Sequence, residues 1–300
     1  MRYSSICVLV AVVWVISSIW CGGAWAAGAQ AAEFSVGKAT VWAIADSTGD
    51  RDMSVFSNAD PEAIAKHVPT GRTPSAIMVF LVKIEDEVIL IDAGLGAPSG
   101  ERASLLGAGL QQIGVAPEQV TMVLVTHMHG DHIGGLVKDG EKAFPSARVL
   151  SGKIEHDFWL DPKSVELFPD RAGNFEMVRN IFGMYSSVSE TFEFDSVVAP
   201  GIRALDASGH TPGQAAFLLE SEGEKLLFWG DLVHAAALQF PRPDICAQFD
   251  MNIGESIAAR VRFMEKAAVE KLTIAGAHLP FPGIGTVEIG AEVGYVYTSK

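Results

Sequence analysis

The chain has 300 residues, of which 49% are hydrophobic and only 19% are charged, so it is not a disordered polypeptide. Its 36 acidic residues outnumber the 22 basic ones, and the resulting net charge of −14 opposes binding to nucleic acid and to anionic membrane surfaces. Three cysteines, Cys7, Cys21 and Cys246, are too few for a disulfide framework. A folded protein is therefore predicted, and polyanions are excluded as partners on electrostatic grounds.

The first 32 residues are predicted to be a signal peptide that is removed from the mature protein. A short basic start is followed by an almost uninterrupted apolar run over residues 6–20 and then by small residues, with cleavage expected after Ala26 or Ala31. The apolar run is shorter than the ~18–20 residues that a spanning helix needs, although a retained anchor stays the alternative. We therefore expect residues 33–300 to form a single domain in the periplasm or outside the cell, without a membrane anchor.

Beyond this leader, stretches rich in Val, Ile and Phe predict strands, and apolar residues at intervals of three and four predict helices. The predicted strands are Val41–Ala45, Ile77–Ile84, Val88–Ile91, Met122–Thr126, Arg148–Leu150, Ile202–Leu205, Ala215–Leu219, Lys225–Trp229 and Leu272–Ala275. The clearest predicted helices are Asn174–Tyr185 and Glu255–Lys271, and the second has one apolar stripe from Ile257 to Ala268. The alternation of strands and helices indicates an α/β protein.

The strongest chemical signal follows the fourth predicted strand, where residues 126–132 read THMHGDH. His127 and His129 are two residues apart and can point toward one ion, whereas Asp131 and His132 are adjacent, diverge and can serve a second ion. This mixture of imidazole and carboxylate favours zinc, with manganese, iron or cobalt as alternatives. The opposing interpretation is a polar loop whose histidines only cap a helix, and four potential ligands within six residues argue against it.

Three further candidate ligands, His210, Asp231 and His278, each follow a predicted strand and lie beside or close to glycine. A glycine lets the backbone turn sharply and lets an ion approach. Alone, a histidine or aspartate at a strand end is typical of a hydrogen-bonded turn. Together with the first cluster, these residues complete a set of seven candidate ligands.

In this order, the seven residues resemble those of the metallo-β-lactamase-fold hydrolases over essentially the whole mature chain. The resemblance implies a four-layer αββα sandwich with two divalent metal ions, most commonly zinc, at one edge. It implies that His127, His129 and His210 hold one ion, that Asp131, His132 and His278 hold the other, and that Asp231 bridges the two. Asp131 and Asp231 are the implied catalytic carboxylates, and either is a candidate proton acceptor. Asp92 is implied to support the ligand loop without binding metal.

Two longer runs, residues 229–240 and 277–285, resemble the methyl parathion hydrolase group and its lactonase relatives. This resemblance implies an exported hydrolase in which a hydroxide bridging two ions cleaves lactones or other esters, and in addition organophosphate triesters. Its partner would be a small hydrophobic substrate. Related hydrolases are often homodimers, so a homodimer is the expectation for this chain.

Apolar side chains around the ions are expected to set the substrate specificity. The candidate pocket residues are Phe158, Trp159, Phe182, Tyr185, Leu232 and His234. Aromatic residues at helical spacing are more often typical of a buried core, and this alternative stays open for the aromatic members of the set.

Two alternative functions stay open. The first is β-lactam hydrolysis, although the enzymes of that type typically have cysteine or a small residue at the position of Asp231. The second is binding of a metal or a signal molecule without turnover, against which the complete ligand set argues. A dinucleotide loop at Gly94-Leu95-Gly96 lacks the full glycine pattern. Because Cys246 lies outside every motif, nitrogen and oxygen alone are predicted to hold the metals.

Overall fold

The structure is a computed structural model that describes residues 28–96, 104–291 and 294–300. Most of the predicted signal peptide lies outside the described residues. The strand that opens the described chain begins at Gln30 and therefore crosses the expected boundary between leader and mature domain. Among the described residues, no helix is long and apolar enough to cross a membrane.

In the described part of the chain, two mixed sheets of seven strands each form the centre of the fold. The first sheet contains, in spatial order, β1 (Gln30–Val36), β2 (Ala39–Asp52), β3 (Arg72–Ile84), β4 (Glu87–Ile91), β5 (Met122–Val125), β8 (Arg148–Gly152) and β9 (Ser189–Phe192). The second contains β10 (Val197–Ala199), β11 (Ile202–Asp206), β12 (Ala215–Ser221), β13 (Glu224–Phe228), β14 (Thr273–Ala275), β15 (Ile284–Ile289) and β16 (Tyr295–Ser299). A short hairpin of β6 (Val137–Lys138) and β7 (Glu141–Lys142) lies apart from both.

Helices cover the outer faces of the two sheets. The α-helices of the described residues are α1 (Pro61–His67), α2 (Leu106–Gln112), α3 (Gly130–Ile133), α4 (Lys153–Leu160), α5 (Ser164–Leu167), α6 (Ala172–Tyr185), α7 (Ala236–Gln239) and α8 (Ile253–Glu270). Residues of α2, α4 and α6 pack on the first sheet, and residues of α8 pack on the second.

The alternation of side chains along the strands divides the interior into three layers. In β5, Met122 and Leu124 face the core between the sheets, whereas Val123 and Val125 face the helices. Strand β13 follows the same rule, with Leu227 facing α8. Both faces of these strands are therefore buried, which explains their continuous apolar sequences. The arrangement confirms the predicted αββα sandwich.

Every predicted strand and both predicted helices overlap an observed element. The strands that the sequence did not predict are the hairpin strands β6 and β7 and, near the sheet edges, β1, β9, β10, β15 and β16. Their residues are largely exposed or half-buried, as in β9 and β16, so selection for an apolar face is weak there. Edge strands of this kind lack the apolar alternation on which the prediction depends.

The segment Gly94-Leu95-Gly96 packs its backbone against the loop that follows the ligand motif, which explains its glycines without a dinucleotide. A Cβ at Gly96, whose φ is +71°, would lie 2.2 Å from the carbonyl carbon of Gly134. We expect Gly96→Ala to lower the free energy of unfolding by ~2–5 kcal/mol, from the left-handed backbone and from the steric clash together. Urea denaturation followed by circular dichroism measures this loss.

Gly114→Ala is the matched control for this prediction. Gly114 has the same φ of +71°, but nothing lies within 4 Å of the Cβ that alanine would add. The control should therefore lose only the ~1–2 kcal/mol of the left-handed conformation. Equal losses in the two variants would show that the close approach of the two loops contributes nothing to stability.

Candidate metal centre

The seven candidate ligands lie at one edge of the sandwich, where strands of both sheets end. The THMHGDH segment follows the carboxyl end of β5, while Asp231 and His278 follow the parallel strands β13 and β14. His210 lies in the connection between β11 and β12. The two sheets are joined at this edge by a hydrogen bond from Ala215 N to Thr126 O of 2.8 Å. The fold therefore brings together ligands that are 151 residues apart in the chain, from His127 to His278.

Three imidazoles form the first group of this centre. His129 Nδ1 lies 3.1 Å from His127 Nε2 and 2.9 Å from His210 Nε2. A tetrahedral zinc ion with Zn–N bonds of about 2.0–2.1 Å places its ligand atoms about 3.3 Å apart. The three nitrogens thus face a common point at a spacing that fits one ion, as the resemblance implied.

Asp231 lies between this group and a second one. Its Oδ1 is 3.1 Å from His132 Nε2, and its Oδ2 is 2.9 Å from His278 Nε2 and 3.4 Å from His210 Nε2. Asp131 Oδ2 is 3.4 Å from His278 Nε2, which completes the second group. The carboxylate of Asp231 therefore lies between the two groups, where the resemblance implied a bridging ligand.

Two buried polar atoms support a metal at this place. When His132 is neutral and donates through Nδ1 to Asp92, its Nε2 and Asp231 Oδ1 face each other as two acceptors without a hydrogen bond. Leaving such atoms buried and unsatisfied costs ~1–3 kcal/mol each. A divalent cation between them would satisfy both, so the donor set fits divalent metal ions and the histidines and aspartates present would hold them.

Four of the candidate ligands are histidines whose Nε2 faces the centre and whose Nδ1 is held by another group. The partners are Thr126 Oγ1 for His127 (3.1 Å), Asp92 Oδ2 for His132 (2.8 Å), Asp250 Oδ1 for His210 (2.7 Å) and Ala76 O for His278 (2.9 Å). Such contacts fix the tautomer and orientation of metal-binding imidazoles. The rings are thus oriented by the protein itself.

Asp92 supports the ligand loop, as predicted. Its Oδ1 accepts a hydrogen bond from Thr126 N of 2.7 Å, and its Oδ2 accepts one from Thr126 Oγ1 of 2.8 Å in addition to the contact with His132. One carboxylate therefore ties the end of β4 to the start of the ligand segment and orients a ligand.

Glu155 of α4 is a second support, which the sequence did not reveal. Its Oε1 accepts hydrogen bonds from Met128 N (2.8 Å) and Trp159 Nε1 (2.7 Å), and its Oε2 accepts from Thr211 Oγ1 (2.8 Å) and Gly213 N (2.9 Å). The side chain is fully buried. One carboxylate thus joins the loop of His127 and His129 to the loop of His210.

Asp250 and Arg260 form the third support. Asp250 accepts from His210 Nδ1 through Oδ1, and its Oδ2 lies 3.0 Å from Ala247 N and 3.5 Å from Arg260 Nη2. Burial raises the pKa of Asp250, but His210 and the Arg260 charge outweigh this effect and hold the pKa well below its usual range. Because both residues lie far from the THMHGDH segment in sequence, no spacing pattern predicts their role.

The buried surroundings lower the pKa of two candidate ligands and raise the pKa of a third. Burial holds the pKa of His127 and of His129 well below the usual histidine value, so both imidazoles are neutral. Burial also lowers the pKa of His132, but the carboxylates of Asp231 and Asp92 outweigh it and raise the pKa well above that value. Without an ion, His132 thus offers a proton to these carboxylates. A bound cation would compete for that position, because metal binding requires the deprotonated imidazole.

None of the six residues predicted for the substrate pocket lines the cavity at the candidate ligands. The cavity at the ligands, of about 210 Å³, is lined by Arg51, His129, Gly130, Asp131, Arg171, Asn174, Asp231, Phe249 and His278. Trp159, Phe182 and Tyr185 are buried under the first sheet with the half-buried Phe158, and Leu232 is buried beside α8. The helical spacing of the aromatic residues therefore reflects the core.

Trp159 and Tyr185 have supporting roles within that core. The ring of Trp159 lies 5.9 Å from the ring of His129, edge to face, and its indole nitrogen donates to Glu155. The hydroxyl of Tyr185 donates to Leu136 O at 2.8 Å. Both side chains thus satisfy their polar atoms internally, which leaves neither available to a ligand in the cavity.

His234, the sixth predicted pocket residue, is buried beside the ligands and is absent from the cavity lining. Its Nε2 lies 3.0 Å from Asp231 Oδ2, and its ring stacks on that of His278 with centroids 5.1 Å apart. Burial lowers the pKa of His234 to about 3, so the ring is neutral and donates to Asp231. His234 therefore adds a hydrogen bond to the candidate bridging carboxylate.

Cys246 is buried away from the candidate ligands. Burial raises the pKa of its thiol to about 11, so the thiol is protonated at neutral pH. Among the described residues, the clusters that could hold an ion contain only histidine and aspartate. The donor set therefore agrees with the expectation of nitrogen and oxygen ligands.

Residues 72–278 match the family model described as the metallo-beta-lactamase superfamily. The match spans more than half of the chain, which therefore belongs to this superfamily and is a hydrolase of that class. AidC, a dizinc quorum-quenching lactonase solved with a product, is 26% identical with a TM-score of 0.84, covering 91% of this chain and 98% of that one. The hydrolase AbOPH is 29% identical with a TM-score of 0.85, covering 92% of this chain and 98% of that one.

Curated relatives match over shorter segments. An atrochrysone carboxyl ACP thioesterase of Passalora fulva is 31% identical over 146 residues, which are 48% of this chain and 34% of the relative. An N-acyl homoserine lactonase of a Bacillus species is 22% identical over 165 residues, which are 49% of this chain and 59% of the relative. The matched segments thus cover less than two thirds of these relatives.

Removal of bound metal is expected to destabilise the protein. An ion present at about 100–1,000 times its dissociation constant contributes ~2.7–4.1 kcal/mol, so a chelator should lower Tm by about 5–15 °C. Differential scanning calorimetry before and after dialysis measures the shift, and added Zn²⁺ should reverse it. Chelator already saturated with Zn²⁺ is the control. An unchanged Tm after all metal has been removed would contradict a metal centre.

Proposed function

We propose that the chain is a dinuclear metal-dependent hydrolase that cleaves lactones or other esters, with organophosphate triesters as related substrates. The observation that carries this proposal is the position of Asp231, whose two oxygens face both groups of histidine nitrogens. When bound, the two ions would supply Lewis acidity for a carbonyl or phosphoryl oxygen and would lower the pKa of water from ~15.7 toward ~7.

The two candidate catalytic carboxylates, Asp231 and Asp131, have different roles in this proposal. Asp231 is almost fully buried and is held by His132, His234 and His278, so it fixes the spacing of the two groups. The side chain of Asp131 is 30% exposed and lies at the cavity. We therefore assign to Asp131 the acceptance of the proton that the adding water gives up and its delivery to the leaving alkoxide, which leaves as an alcohol, because a group that carries a proton must reach the reacting atoms.

Two similarities support a lactone or ester substrate. The solved relative AidC is described as a dizinc lactonase, and it aligns with this chain over nearly its whole length. A thioesterase is among the curated relatives, which extends the likeness to acyl transfer in general. Together they favour cleavage at a carbonyl carbon, and the subgroup resemblance to methyl parathion hydrolase adds the phosphotriester as a proposal.

A parallel assay tests this function. Metal-quantified protein is given an acyl-homoserine lactone, a larger lactone, an aryl ester, a methyl phosphotriester and a chromogenic β-lactam. We expect two metal ions per chain and the highest kcat/KM on a lactone or ester. One ion per chain, or turnover of the β-lactam alone, would overturn the proposal. Tight lactone binding without turnover would favour the non-catalytic alternative.

We further propose that the chain is exported and that its leader is cleaved after Ala26. Cleavage after Ala31 would remove Gln30 and Ala31, which pair with Ala45 and Ile44 in the β1–β2 ladder. Cleavage after Ala26 leaves the whole of β1 in place. N-terminal sequencing of protein from a periplasmic fraction should therefore start at residue 27. A start at residue 32, or an intact leader, would contradict this assignment.

A further inference from the structure

Two arginines line the cavity at the candidate metal centre. Arg51 lies near the end of β2, and Arg171 immediately precedes α6. Both contact Phe249: Arg51 Cζ lies 5.7 Å from the centre of its ring, and Arg171 Nη2 donates to its carbonyl oxygen at 3.4 Å. Three separate segments of the chain thus meet at one face of the cavity, and contacts with Phe249 hold both arginines there.

The charges at this cavity differ from those of the chain as a whole. The chain carries a net charge of −14, with only 22 basic residues. The acidic residues that line the cavity are Asp131 and Asp231, and both are candidate metal ligands. Two divalent ions would more than neutralise these carboxylates, so the guanidinium groups would add to a positive field. Small anions are attracted to such a cavity.

The donor geometry favours an oxyanion. A guanidinium presents N–H groups in a planar fork that matches carboxylate and phosphate oxygens. Asn174, in the first turn of α6, adds an amide to the same lining. Backbone N–H groups at the start of this helix contribute further positive potential.

We infer that Arg51 and Arg171 select esters or lactones that carry a carboxylate or phosphate group apart from the bond that is cleaved. This inference rests on the proposed function and names the substrate class of the same site. Hydrolysis of such an ester adds water across the acyl C–O bond and releases a carboxylic acid and an alcohol. The two arginines hold the group that does not react, so they are specificity-determining residues.

The test compares matched substrates. Aryl esters of equal chain length are prepared with a methyl, a carboxylate or a phosphate group at the far end of the acyl chain. We expect kcat/KM to favour at least one anionic ester over the neutral one by about tenfold or more at low salt, and the preference to shrink as ionic strength rises. Comparison of the carboxylate ester with the phosphate ester shows which oxyanion the site prefers.

Substitutions of the two arginines test whether these residues cause the preference for anionic esters. Arg51→Gln and Arg171→Gln should each reduce the ratio of anionic to neutral kcat/KM by about tenfold, which brings a tenfold preference close to one. Arg179→Gln is the matched control, because Arg179 lies on the same helix α6 but donates to Asp161 O at 3.1 Å and does not line the cavity. The control should keep the wild-type ratio.

A binding measurement separates this inference from the proposed function. Titration calorimetry compares anilides of the same three acyl chains, which resist hydrolysis. Tighter binding of an anionic anilide to the wild-type protein, and loss of this preference in Arg51→Gln and Arg171→Gln, supports the inference. This holds even if no ester is hydrolysed, a result that would contradict the proposed function. Equal binding of all three anilides, with the neutral ester hydrolysed, overturns the inference and leaves the proposed function standing.

Discussion

Replacement of Asp231 by asparagine is expected to abolish hydrolysis, with kcat/KM falling by about 10³-fold or more, which corresponds to ~4 kcal/mol. The two carboxylate oxygens face different histidines, His132 on one side and His278 and His210 on the other. An amide keeps one oxygen but turns its NH₂ group toward the other side, where it cannot bind a cation. The variant should therefore hold fewer than two ions per chain, as measured by plasma mass spectrometry.

Asp244→Asn is the control for this substitution. Asp244 forms an ion pair with Arg242 at 2.8 Å, and its side chain is 55% exposed. Exposed pairs of this kind contribute ~0–1 kcal/mol, so stability, metal content and activity should all stay near those of the unchanged protein. If Asp231→Asn kept two ions per chain and full activity, Asp231 would not be a bridging ligand. Circular dichroism of both variants checks that the fold is retained.

The candidate ligands could be identified from the sequence because four of them lie close together in one short segment. The THMHGDH segment places four donor groups within seven residues after a buried strand, and this spacing has few structural explanations other than a metal. The isolated candidate ligands His210, Asp231 and His278 indicate a metal site only in combination with that segment. Their convergence depends on how the two sheets meet, which the resemblance supplied and the periodicity of the chain did not.

The residues behind the ligands could not be predicted, for a physical reason. Glu155 and Asp250 act through hydrogen bonds to groups that are distant in sequence, Thr211 and His210 respectively. In the sequence, a buried carboxylate that supports a ligand cannot be distinguished from one that is exposed to solvent. The same limit applies to Arg51 and Arg171, which resemble surface charges until the fold places them at the cavity.

The residues that line the cavity differ from the predicted pocket residues for a different reason. Phe182 and Tyr185 recur at helical spacing, and this pattern reports only that α6 has one apolar face. That face packs on the first sheet with Trp159, whereas the first turn of α6, with Asn174, reaches the cavity. Helical periodicity thus identifies the buried stripe of a helix. Whether the residues at the end of the helix contact a site depends on where the fold places that end.

Glu155→Gln is expected to weaken metal binding by about 10–100-fold and to lower the free energy of unfolding by ~2–6 kcal/mol. The carboxylate accepts two hydrogen bonds on each oxygen, from Met128 and Trp159 on one side and from Thr211 and Gly213 on the other. An amide oxygen replaces only one of these acceptors. Two buried donors would then face an NH₂ group and remain unsatisfied, at ~1–3 kcal/mol each.

Asp157→Asn, on the same helix α4, is the matched control. Asp157 is 57% exposed and pairs with Lys153 one turn earlier, so its loss should cost at most ~1 kcal/mol and leave metal affinity unchanged. Competition with a chromogenic chelator measures the affinity, and urea denaturation measures the stability. If Glu155→Gln lowered stability while metal affinity stayed at the level of the control, Glu155 would support only the core. Loss of both would show that the carboxylate fixes the spacing of the two ligand loops, because the loops carry separate ligands of one ion.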